Sequence, residues 1–449
     1  MNRGMNRREF LKNTTLAGAG FWAARRTVWS EMKSPNEKLN IAGIGVGGRG
    51  AGDIDGVKSE NIVALCDVDR SRAGGTFRSY PGAKRYEDFR KMLEEQKDID
   101  AVVVGTPDHT HAPASVMAMK LGKHVYCEKP LTHSVYEARV MRETAAKYKV
   151  ATQMGNQGTA SEGLRRAVEI VHSGALGRVR EAHVWTNRPI WPQGTEAVLK
   201  HEGVKSALHG GGTAPQAPSG LNWDLWLGPA PRRPYDPCYL PFSWRGWWDF
   251  GTGSLGDMAC HTMNMPFWGL KLGFPTSVEA EVSELNPETP PNWSIVRYEF
   301  PARGDLPPVT FTWYDKFKKP PAELFEDERV SDSGSLIIGE KGKMYSPGDT
   351  GDSYRLLPRS AFEGFKGPDP WIPRSPGHHR EWIIACKGGR PAMSNFNYAG
   401  PLTETVVLGN VAMRLPGRKL EWDAANLKVT NVPEANQYVR REYREGWIL

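Results

Sequence analysis

Two short stretches of the sequence place acidic and basic side chains at spacings that suit proton chemistry. Glu128, Lys129 and Pro130 follow an apolar run, while Asp257 and His261 are four residues apart and would share one face of a helix. An imidazole suits a general base near neutral pH, and a lysine ammonium stabilises developing negative charge. Lys129, His261 and Asp257 are therefore the candidate catalytic residues. A capping aspartate beside a structural histidine would give the same spacing.

A glycine-rich turn lies upstream of these residues. The apolar run Leu39–Ile44 enters "GIGVGG", a G-x-G-x-x-G pattern, in which glycine lets the backbone turn tightly and approach a pyrophosphate. The next strand-like run ends at Asp67, where a carboxylate can accept both ribose hydroxyls and repel a 2′-phosphate. NAD is therefore favoured over NADP, although Arg70 and Arg72 offset part of that repulsion. The cofactor-binding residues predicted in this region are Gly43, Gly45, Val46, Gly48, Arg49, Asp67 and Arg72.

Strand-like and helix-like segments alternate from residue 38 to about residue 160. Strict alternation predicts an α/β fold whose N-terminal Rossmann domain, 38–160, holds a doubly wound parallel sheet. Ligands bind at the carboxyl ends of such strands. Further cofactor contacts are therefore expected at the polar strand ends, namely Thr106, Pro107, Glu128, Lys129 and Asn156.

The pattern changes over 161–425, which we expect to form a second α/β domain, followed by a C-terminal tail at 426–449. Strand-like runs succeed one another there without intervening helices, which indicates a mostly antiparallel open sheet. A long irregular stretch, about 187–256, is rich in Gly, Pro and Trp. Indole rings stack on sugar rings and guanidinium groups bind hydroxyls, although aromatic packing in a core explains single tryptophans equally well. The predicted substrate-binding residues are Trp185, Arg188, Trp244, Arg245 and Trp248.

The net charge of +7 is concentrated at the N-terminus, because residues 1–30 contain six basic residues and one acid. No basic face is implied for the remainder, so nucleic acid is not expected as a partner. A weakly apolar stretch follows Arg7 and Arg8 and is too short to span a bilayer. This order resembles a twin-arginine signal over 1–33, with export and a periplasmic location expected. A frayed basic tail is the alternative.

The five cysteines form no C-x-x-C pair and no disulfide framework is expected. Cys66 and Cys127 end apolar runs and are typical of buried thiols. His109 and His111, in "TPDHTHAP", raise the possibility of a metal site with Asp257 and His261, but no metal is predicted, because no supporting ligand pattern accompanies them.

Taken in order, "GIGVGGRG", "CDVD", "GTPDHTHAP", "CEKPLT", "GDMACH" and "GRKLEWD" resemble the Gfo/Idh/MocA family of NAD(P)-dependent sugar oxidoreductases over nearly all of 38–425. The resemblance implies that Lys129 lies between nicotinamide and substrate and that the peptide before Pro130 is cis. It implies that His261 is the general base, and that Thr106, Pro107 and His109 lie along the cofactor. It also implies a homo-oligomer, a dimer or tetramer, built on the open sheet.

The expected reaction is hydride transfer between a carbohydrate or polyol hydroxyl and NAD. Either His261 or Lys129 can be the proton acceptor, and Asp257 either positions His261 or binds a neighbouring hydroxyl. One alternative is a glycoside hydrolase that oxidises its sugar transiently and recycles NAD. The hydrolase branch departs at the E-K-P motif, which this sequence keeps. Another alternative is a non-catalytic sugar- or cofactor-binding protein.

Overall fold

The computed structural model describes residues 37–201, 204–205 and 215–449. The expected targeting signal at 1–33 lies outside these residues. Within the described ranges, every helix is too short or too polar to cross a lipid bilayer.

The first domain is built on a six-stranded sheet in which every pair of neighbours is parallel. The spatial order is β3-β2-β1-β4-β5-β6. The change of direction at β1 and β4 makes the sheet doubly wound, so the predicted Rossmann topology is confirmed. The strands are β1 Asn40–Ile44, β2 Asn61–Cys66, β3 Lys84–Tyr86, β4 Ala101–Val104, β5 His124–Cys127 and β6 Thr152–Met154.

Helices cover both faces of this sheet, and side-chain caps set where several of them begin. Asp69 accepts the backbone N–H of Arg72, and Ser134 and Glu137 form a reciprocal capping box. Such caps satisfy N–H groups that have no partner within the helix. The helices are α1 Arg49–Gly56, α2 Arg70–Ser79, α3 Phe89–Glu95, α4 Asp108–Lys120 and α5 Val135–Tyr148.

The second domain contains a nine-stranded sheet in the order β13-β12-β11-β7-β10-β9-β8-β14-β15. Only β7 and β10 pair in parallel within it. The predicted open, mostly antiparallel sheet is therefore confirmed. Its strands are β7 Val179–Trp185, β8 Ser277–Val282, β9 Ser294–Phe300, β10 Val309–Tyr314, β11 Gly334–Gly339, β12 Gly342–Pro347, β13 Arg355–Leu357, β14 Leu420–Asp423 and β15 Lys428–Val429.

Helices of the second half of the chain join the two sheets. The last two pack on the first domain: α12 lies along α5, and α11 lies against α1 and β6. The chain beyond the second sheet also returns to the first domain, where Arg441 Nε donates to Glu137 Oε1 at 2.8 Å. The helices in question are α6 Glu162–His172, α7 Thr195–Leu199, α8 Trp223–Leu227, α9 Gly253–Thr262, α10 Asn264–Gly269, α11 His378–Cys386 and α12 Phe396–Met413.

The described residues of 187–256, namely 187–201, 204–205 and 215–256, form an irregular segment, which we call the roof segment. Apart from α7, α8 and the start of α9, its described residues make turns and short 3₁₀ helices. A separate aromatic cluster holds it together: Trp223 and Trp226 stack at 4.8 Å, and Trp226 and Tyr239 each pack on Phe250. Aromatic burial thus replaces regular hydrogen bonding as the source of order in this part of the molecule.

Candidate active site

A cavity of about 380 Å³ lies between the carboxyl ends of the first sheet and the roof segment. The ends of β1, β2, β4 and β5 form its floor, and one turn of α9 closes one side. Ligands of doubly wound sheets bind in this position, outside the strand ends and near the reversal of strand order. Predicted residues that line the cavity are Gly45, Arg49, Asp67, Arg72, Thr106, Pro107, Glu128, Lys129, Trp244, Arg245 and His261.

The glycine turn brings backbone to the cavity wall. Gly45 has a φ of +74°, and a Cβ there would lie 2.7 Å from the backbone nitrogen of Thr106. Asp67 Oδ2 accepts the N–H groups of Val46 at 2.8 Å and Gly47 at 3.1 Å, which fixes the turn against the end of β2. Burial raises the pKa of the Asp67 carboxyl, and these backbone donors offset part of that rise.

A charged cluster occupies the opposite end of the cavity. Lys129 Nζ donates to Asp257 Oδ1 and to the Asp257 carbonyl, both at 2.8 Å, and Arg245 Nε donates to the same Oδ1 at 2.9 Å. Burial alone would raise the pKa of Asp257, but the two cations outweigh it and hold that pKa well below its usual range. Asp257 therefore stays ionised and fixes both cations at the cavity wall.

His261 comes from the next turn of the same helix, α9, as its spacing from Asp257 predicts. Burial and the charge of Lys129 lower the pKa of His261 to about 3, so the imidazole is neutral at physiological pH. Its Nδ1 is buried, and no atom of the described residues hydrogen-bonds to it. The carboxylate of Asp257 is bonded to Lys129 and Arg245, and it does not orient the imidazole.

Glu128 links the floor of the cavity to the glycine turn. Its Oε1 accepts from Arg49 Nε at 3.0 Å and from Gln157 Nε2 at 2.8 Å. Burial, followed by the neighbouring charge of Asp53, raises the pKa of Glu128, whereas Arg49 and Lys129 lower it. The acid of the E-K-P motif thus positions Arg49, while the Lys129–Pro130 peptide is cis, as the resemblance implies.

Five predicted cofactor residues do not line the cavity. Val46 is fully buried beneath the glycine turn, and Gly43 faces Ile54 of α1. Gly48 packs under the guanidinium of Arg72. The other two, His109 and Asn156, are fully buried, and their side chains bond to neighbouring segments: His109 to backbone carbonyls of the roof segment, Asn156 to α9 and to the residues before α12.

Three predicted substrate residues lie away from the cavity. Trp185 is fully buried in the second domain, where its ring lies 5.4 Å from that of Phe325. Arg188 reaches toward Asp349 at 3.8 Å, also within the second domain. Trp248 stacks on the guanidinium of Arg414 at 3.9 Å and lines a different cavity of about 340 Å³.

Other residues that line the cavity were not singled out from the sequence. They include Gln157, Asp108, Trp226, Leu240, Pro241 and Phe242. Gln157 could have been predicted, because it follows a strand end directly. The residues of the roof segment could not, because the sequence shows only that this segment is rich in aromatic side chains.

The histidines of "TPDHTHAP" do not form a metal site. His111 Nδ1 and Nε2 lie 2.8 Å from the carbonyl oxygens of Pro130 and Thr106, so both nitrogens act as donors. Burial alone would lower the pKa of His111, but Cys127, Asp108 and these carbonyls raise it to about 10. A doubly protonated imidazole has no lone pair for a metal.

Comparisons with known proteins match both domains to one family. Residues 38–156 match the Gfo/Idh/MocA family description "Oxidoreductase family, NAD-binding Rossmann fold", and residues 207–304 match its "C-terminal alpha/beta domain". The first domain is therefore an NAD-binding domain, as Asp67 predicts.

Curated relatives match only part of their length. An inositol 2-dehydrogenase from Rubrobacter xylanophilus is 32% identical over 151 residues, covering 32% of this chain and 43% of the relative. A glycosyl hydrolase family 109 protein from Solibacter usitatus is 35% identical over 152 residues, covering 29% of this chain and 34% of the relative. The chain thus aligns with less than half of each of these proteins.

Solved structures share the fold over most of the chain. The WlbA dehydrogenase from Bordetella pertussis, in complex with NADH and UDP-GlcNAcA, has a TM-score of 0.58 at 16% identity and covers 86% of this chain and 99% of its own. An inositol dehydrogenase homolog from Azotobacter vinelandii, in complex with NADH and myo-inositol, has a TM-score of 0.54 at 17% identity. The match covers 86% of this chain and 98% of the homolog. The chain is therefore similar in both of its domains to the Gfo/Idh/MocA oxidoreductase family, whose models match 38–156 and 207–304.

Proposed function

We propose that this protein is a dehydrogenase that transfers hydride between a carbohydrate or polyol hydroxyl and NAD. The observation that carries the proposal is the shared cavity: Lys129, held by Asp257, and the neutral His261 face the same space as the glycine turn and Asp67. Nucleotide-binding and proton-transfer groups therefore meet in one site. Inositol 2-dehydrogenases among the relatives support the substrate class.

The residues present fit an NAD dinucleotide. A Cβ at Gly45 would strike the backbone of Thr106, so the turn keeps the tight backbone path that a pyrophosphate requires. Asp67 at the end of β2 suits the ribose hydroxyls, with Arg72 beside it at the cavity wall. When bound, the nicotinamide supplies the hydride acceptor or donor.

Proton transfer falls to His261 in this proposal. As the alcohol carbon loses hydride, its hydroxyl loses a proton to the imidazole, and a carbonyl is formed. The imidazole is neutral because burial and Lys129 lower its pKa, so it has a lone pair ready to accept. In the reverse direction the same group returns the proton to the oxygen.

Lys129 acts as the electrostatic partner of the reacting oxygen. Its salt bridge with Asp257, at 2.8 Å, fixes the position of the ammonium group. A preorganised cation stabilises negative charge that develops on the oxygen in the transition state. In this proposal Lys129, whose Nζ already donates to Asp257, is the hydrogen-bond donor to the reacting oxygen, and the neutral His261 is the proton acceptor.

Two measurements test the proposal directly. The nucleotide released on denaturing the purified protein is identified, and sugars and polyols are then screened for a change in absorbance at the nicotinamide band. We expect bound or readily binding NAD and at least one turned-over carbohydrate. A protein that neither binds NAD nor reduces it with any sugar or polyol contradicts the proposal.

A redox-assisted glycoside hydrolase is the second candidate, because family 109 glycosyl hydrolases are among the relatives. In such a reaction the sugar is oxidised, the aglycone is eliminated, water adds and the sugar is reduced again. The retained E-K-P motif, with Lys129 in the cavity, favours the dehydrogenase. An aryl glycoside separates the two: release of phenol without net NADH supports the hydrolase.

We further propose that the twin-arginine sequence at Arg7 and Arg8 exports the folded protein, with its cofactor, to the periplasm. Replacing both arginines by lysine should retain a fused reporter in the cytoplasm; unchanged export would contradict this.

A homo-oligomer built on the open face of the second sheet is also proposed, on the family resemblance. Light scattering of the purified protein measures its mass, and a monomer at micromolar concentration would contradict it.

A further inference from the structure

Three side chains of different metal-ligand types converge within the roof segment. They are His201, Asp236 and Cys238, and their ligand atoms all lie within 4.8 Å of one another. Within this cluster, His201 Nδ1 lies 3.4 Å from Asp236 Oδ1. No residue of this group lines the 380 Å³ cavity, so the cluster is distinct from the candidate active site.

The local backbone presents two of these side chains together. Asp236 precedes the 3₁₀ turn Pro237–Tyr239, and its Oδ1 accepts the backbone N–H of Cys238 at 2.8 Å. The Asp236 side chain is only 3% exposed, whereas that of His201 is 29% exposed. A buried carboxylate is thus flanked by an imidazole that solvent can reach, which leaves a path by which an ion enters.

Cys238 also differs from the other cysteines. The remaining four are buried, whereas Cys238 is half-buried and lies beside a histidine and an aspartate. Buried thiols among apolar neighbours behave as small hydrophobic groups, but a thiol among nitrogen and oxygen ligands has the surroundings of a metal ligand.

The donor set selects the class of ion. Zinc takes thiolate, imidazole and carboxylate ligands at about 2.0–2.3 Å, so neighbouring ligand atoms lie roughly 3.3–3.9 Å apart around it. The observed spacing needs side-chain movements of about 1 Å to reach that geometry. A thiolate and a carboxylate together neutralise a divalent ion, and a thiolate disfavours Mg²⁺ and Ca²⁺.

We propose that His201, Asp236 and Cys238 bind a zinc ion that fixes the roof segment. The chain continues from Cys238 into Leu240, Pro241 and Phe242, which line the cavity. A zinc ion here cross-links that stretch to the end of α7 and limits the positions of the cavity wall. Three protein ligands leave the fourth tetrahedral position of the ion to water. The proposed role of the ion is to cross-link the chain, and this proposal does not depend on the reaction proposed above.

Metal binding to the full-length protein is the primary test. After incubation with excess zinc and desalting, elemental analysis should find about one zinc per chain, while the same treatment with Mg²⁺ or Ca²⁺ leaves none. Cobalt substitution should give a thiolate-to-metal charge-transfer band. Less than about a tenth of an equivalent of zinc after this treatment overturns the proposal.

Variants assign the ligands. Cys238→Ser and His201→Ala should each lower zinc content several-fold and abolish the thermal stabilisation that zinc gives the unmodified protein. Cys386→Ser and His172→Ala, outside the cluster, should keep both zinc and stabilisation. Zinc should also protect Cys238 from alkylation, read by mass spectrometry. Full zinc retention in Cys238→Ser, or alkylation unaffected by zinc, contradicts the assignment even where a variant folds poorly.

Discussion

The floor and the roof of the cavity are built in different ways. The floor consists of parallel strand ends, where each functional side chain leaves a regular element: Asp67 after β2, Thr106 after β4, Lys129 after β5. The roof is an irregular chain held by aromatic packing, and it contributes Phe242 and Trp244 to the wall. We infer that the floor carries the cofactor and Lys129, that α9 adds His261 from the side, and that the roof shapes the space for substrate.

The floor and the roof also differ in the charged side chains that they present to the cavity. The floor provides Asp67, Glu128 and Lys129, whereas the roof contributes mainly apolar rings and one guanidinium, Arg245. That guanidinium lies 4.4 Å from the ring of Phe242 and 4.3 Å from the ring of Trp244. Arg245 also donates to Asp257 of α9, which accepts from Lys129 as well. Arg245 therefore connects the aromatic roof, through Asp257, to Lys129 on the floor. Changes on the two sides of the cavity should therefore have separable effects.

The largest effect is expected on the floor, at Lys129. Lys129→Met removes the cation that stabilises charge on the reacting oxygen, so kcat should fall about 10²- to 10³-fold. NAD affinity should change little, because Asp67 and the glycine turn remain. The comparison is kcat from initial rates against the Kd for NAD from fluorescence titration.

Lys58→Met serves as the matched control for this change, since the Lys58 side chain is exposed and forms its ion pair with Asp55, away from the cavity. It should leave both quantities unchanged. Unaltered turnover in Lys129→Met would remove Lys129 from the reaction and would support a non-catalytic binding role for the site.

The second-largest effect is expected at Asp67, on the preference of the protein for NAD over NADP. Asp67→Asn keeps an oxygen acceptor for the N–H groups of Val46 and Gly47 but removes the charge that repels a 2′-phosphate. The preference for NAD over NADP should narrow by about 10- to 100-fold, the range for a hydrogen bond to a charged group. Competition titrations with both nucleotides measure it, and Asp55→Asn, on the exposed surface, is the control. An unchanged ratio of the NAD and NADP affinities would mean that the adenosine of the cofactor binds away from Asp67.

A smaller effect is expected in the roof, at Phe242. Phe242 is 42% exposed and lines the cavity, so Phe242→Ala should fold normally and lose its packing on the substrate, on Arg245 and on the ring of Trp191. KM for the sugar should rise about 3- to 10-fold, while NAD affinity is retained. Phe317→Ala, at an 83% exposed phenylalanine outside the cavity, is the control. A loss of NAD affinity with KM unchanged would reverse the roles of roof and floor.

The division between floor and roof also explains what the sequence could predict. Asp67, Lys129 and Thr106 follow apolar runs, and parallel topology brings the ends of such runs together. The helical spacing of Asp257 and His261 was likewise sufficient to place both on one face of α9, on successive turns. By contrast, Trp185 and Trp244 look alike in sequence, and only tertiary packing decides that the first lies in a core and the second lines the cavity.

Side-chain partners were the hardest feature to predict. Asp257 is four residues from His261, yet its carboxylate bonds to Lys129, 128 positions away, and to Arg245. His109 shares its motif with cavity residues, but its ring turns into the roof and bonds to backbone carbonyls. Sequence spacing fixes which face of an element a residue occupies, whereas its bonds depend on segments that arrive from elsewhere.

The smallest expected effect concerns pH and involves a histidine shared by both domains. His378 Nε2 lies 2.8 Å from the carbonyl oxygen of Met154, and burial lowers the pKa of His378 to about 3. An unfolded histidine titrates near 6.5, so between about pH 3 and 6.5 the unfolded chain binds a proton that the native protein does not. Stability should therefore fall as pH drops below about 6.5.

For His378 alone, the linkage corresponds to on the order of 1–2 kcal/mol between pH 6.5 and pH 5. His378→Asn should shrink the acid-induced loss of unfolding free energy by about that amount, measured by denaturant titration at the two pH values. His111 does not add to this loss, because its raised pKa keeps it protonated in the native protein, and its linkage therefore has the opposite sign: the stability it contributes is lost as pH rises above about 6.5. His172→Asn, at a half-buried histidine, should leave most of the slope. An identical slope in His378→Asn would mean that the acid sensitivity comes from other buried histidines whose pKa is also lowered, such as His109 and His261, the latter on the side of the cavity where roof and floor meet.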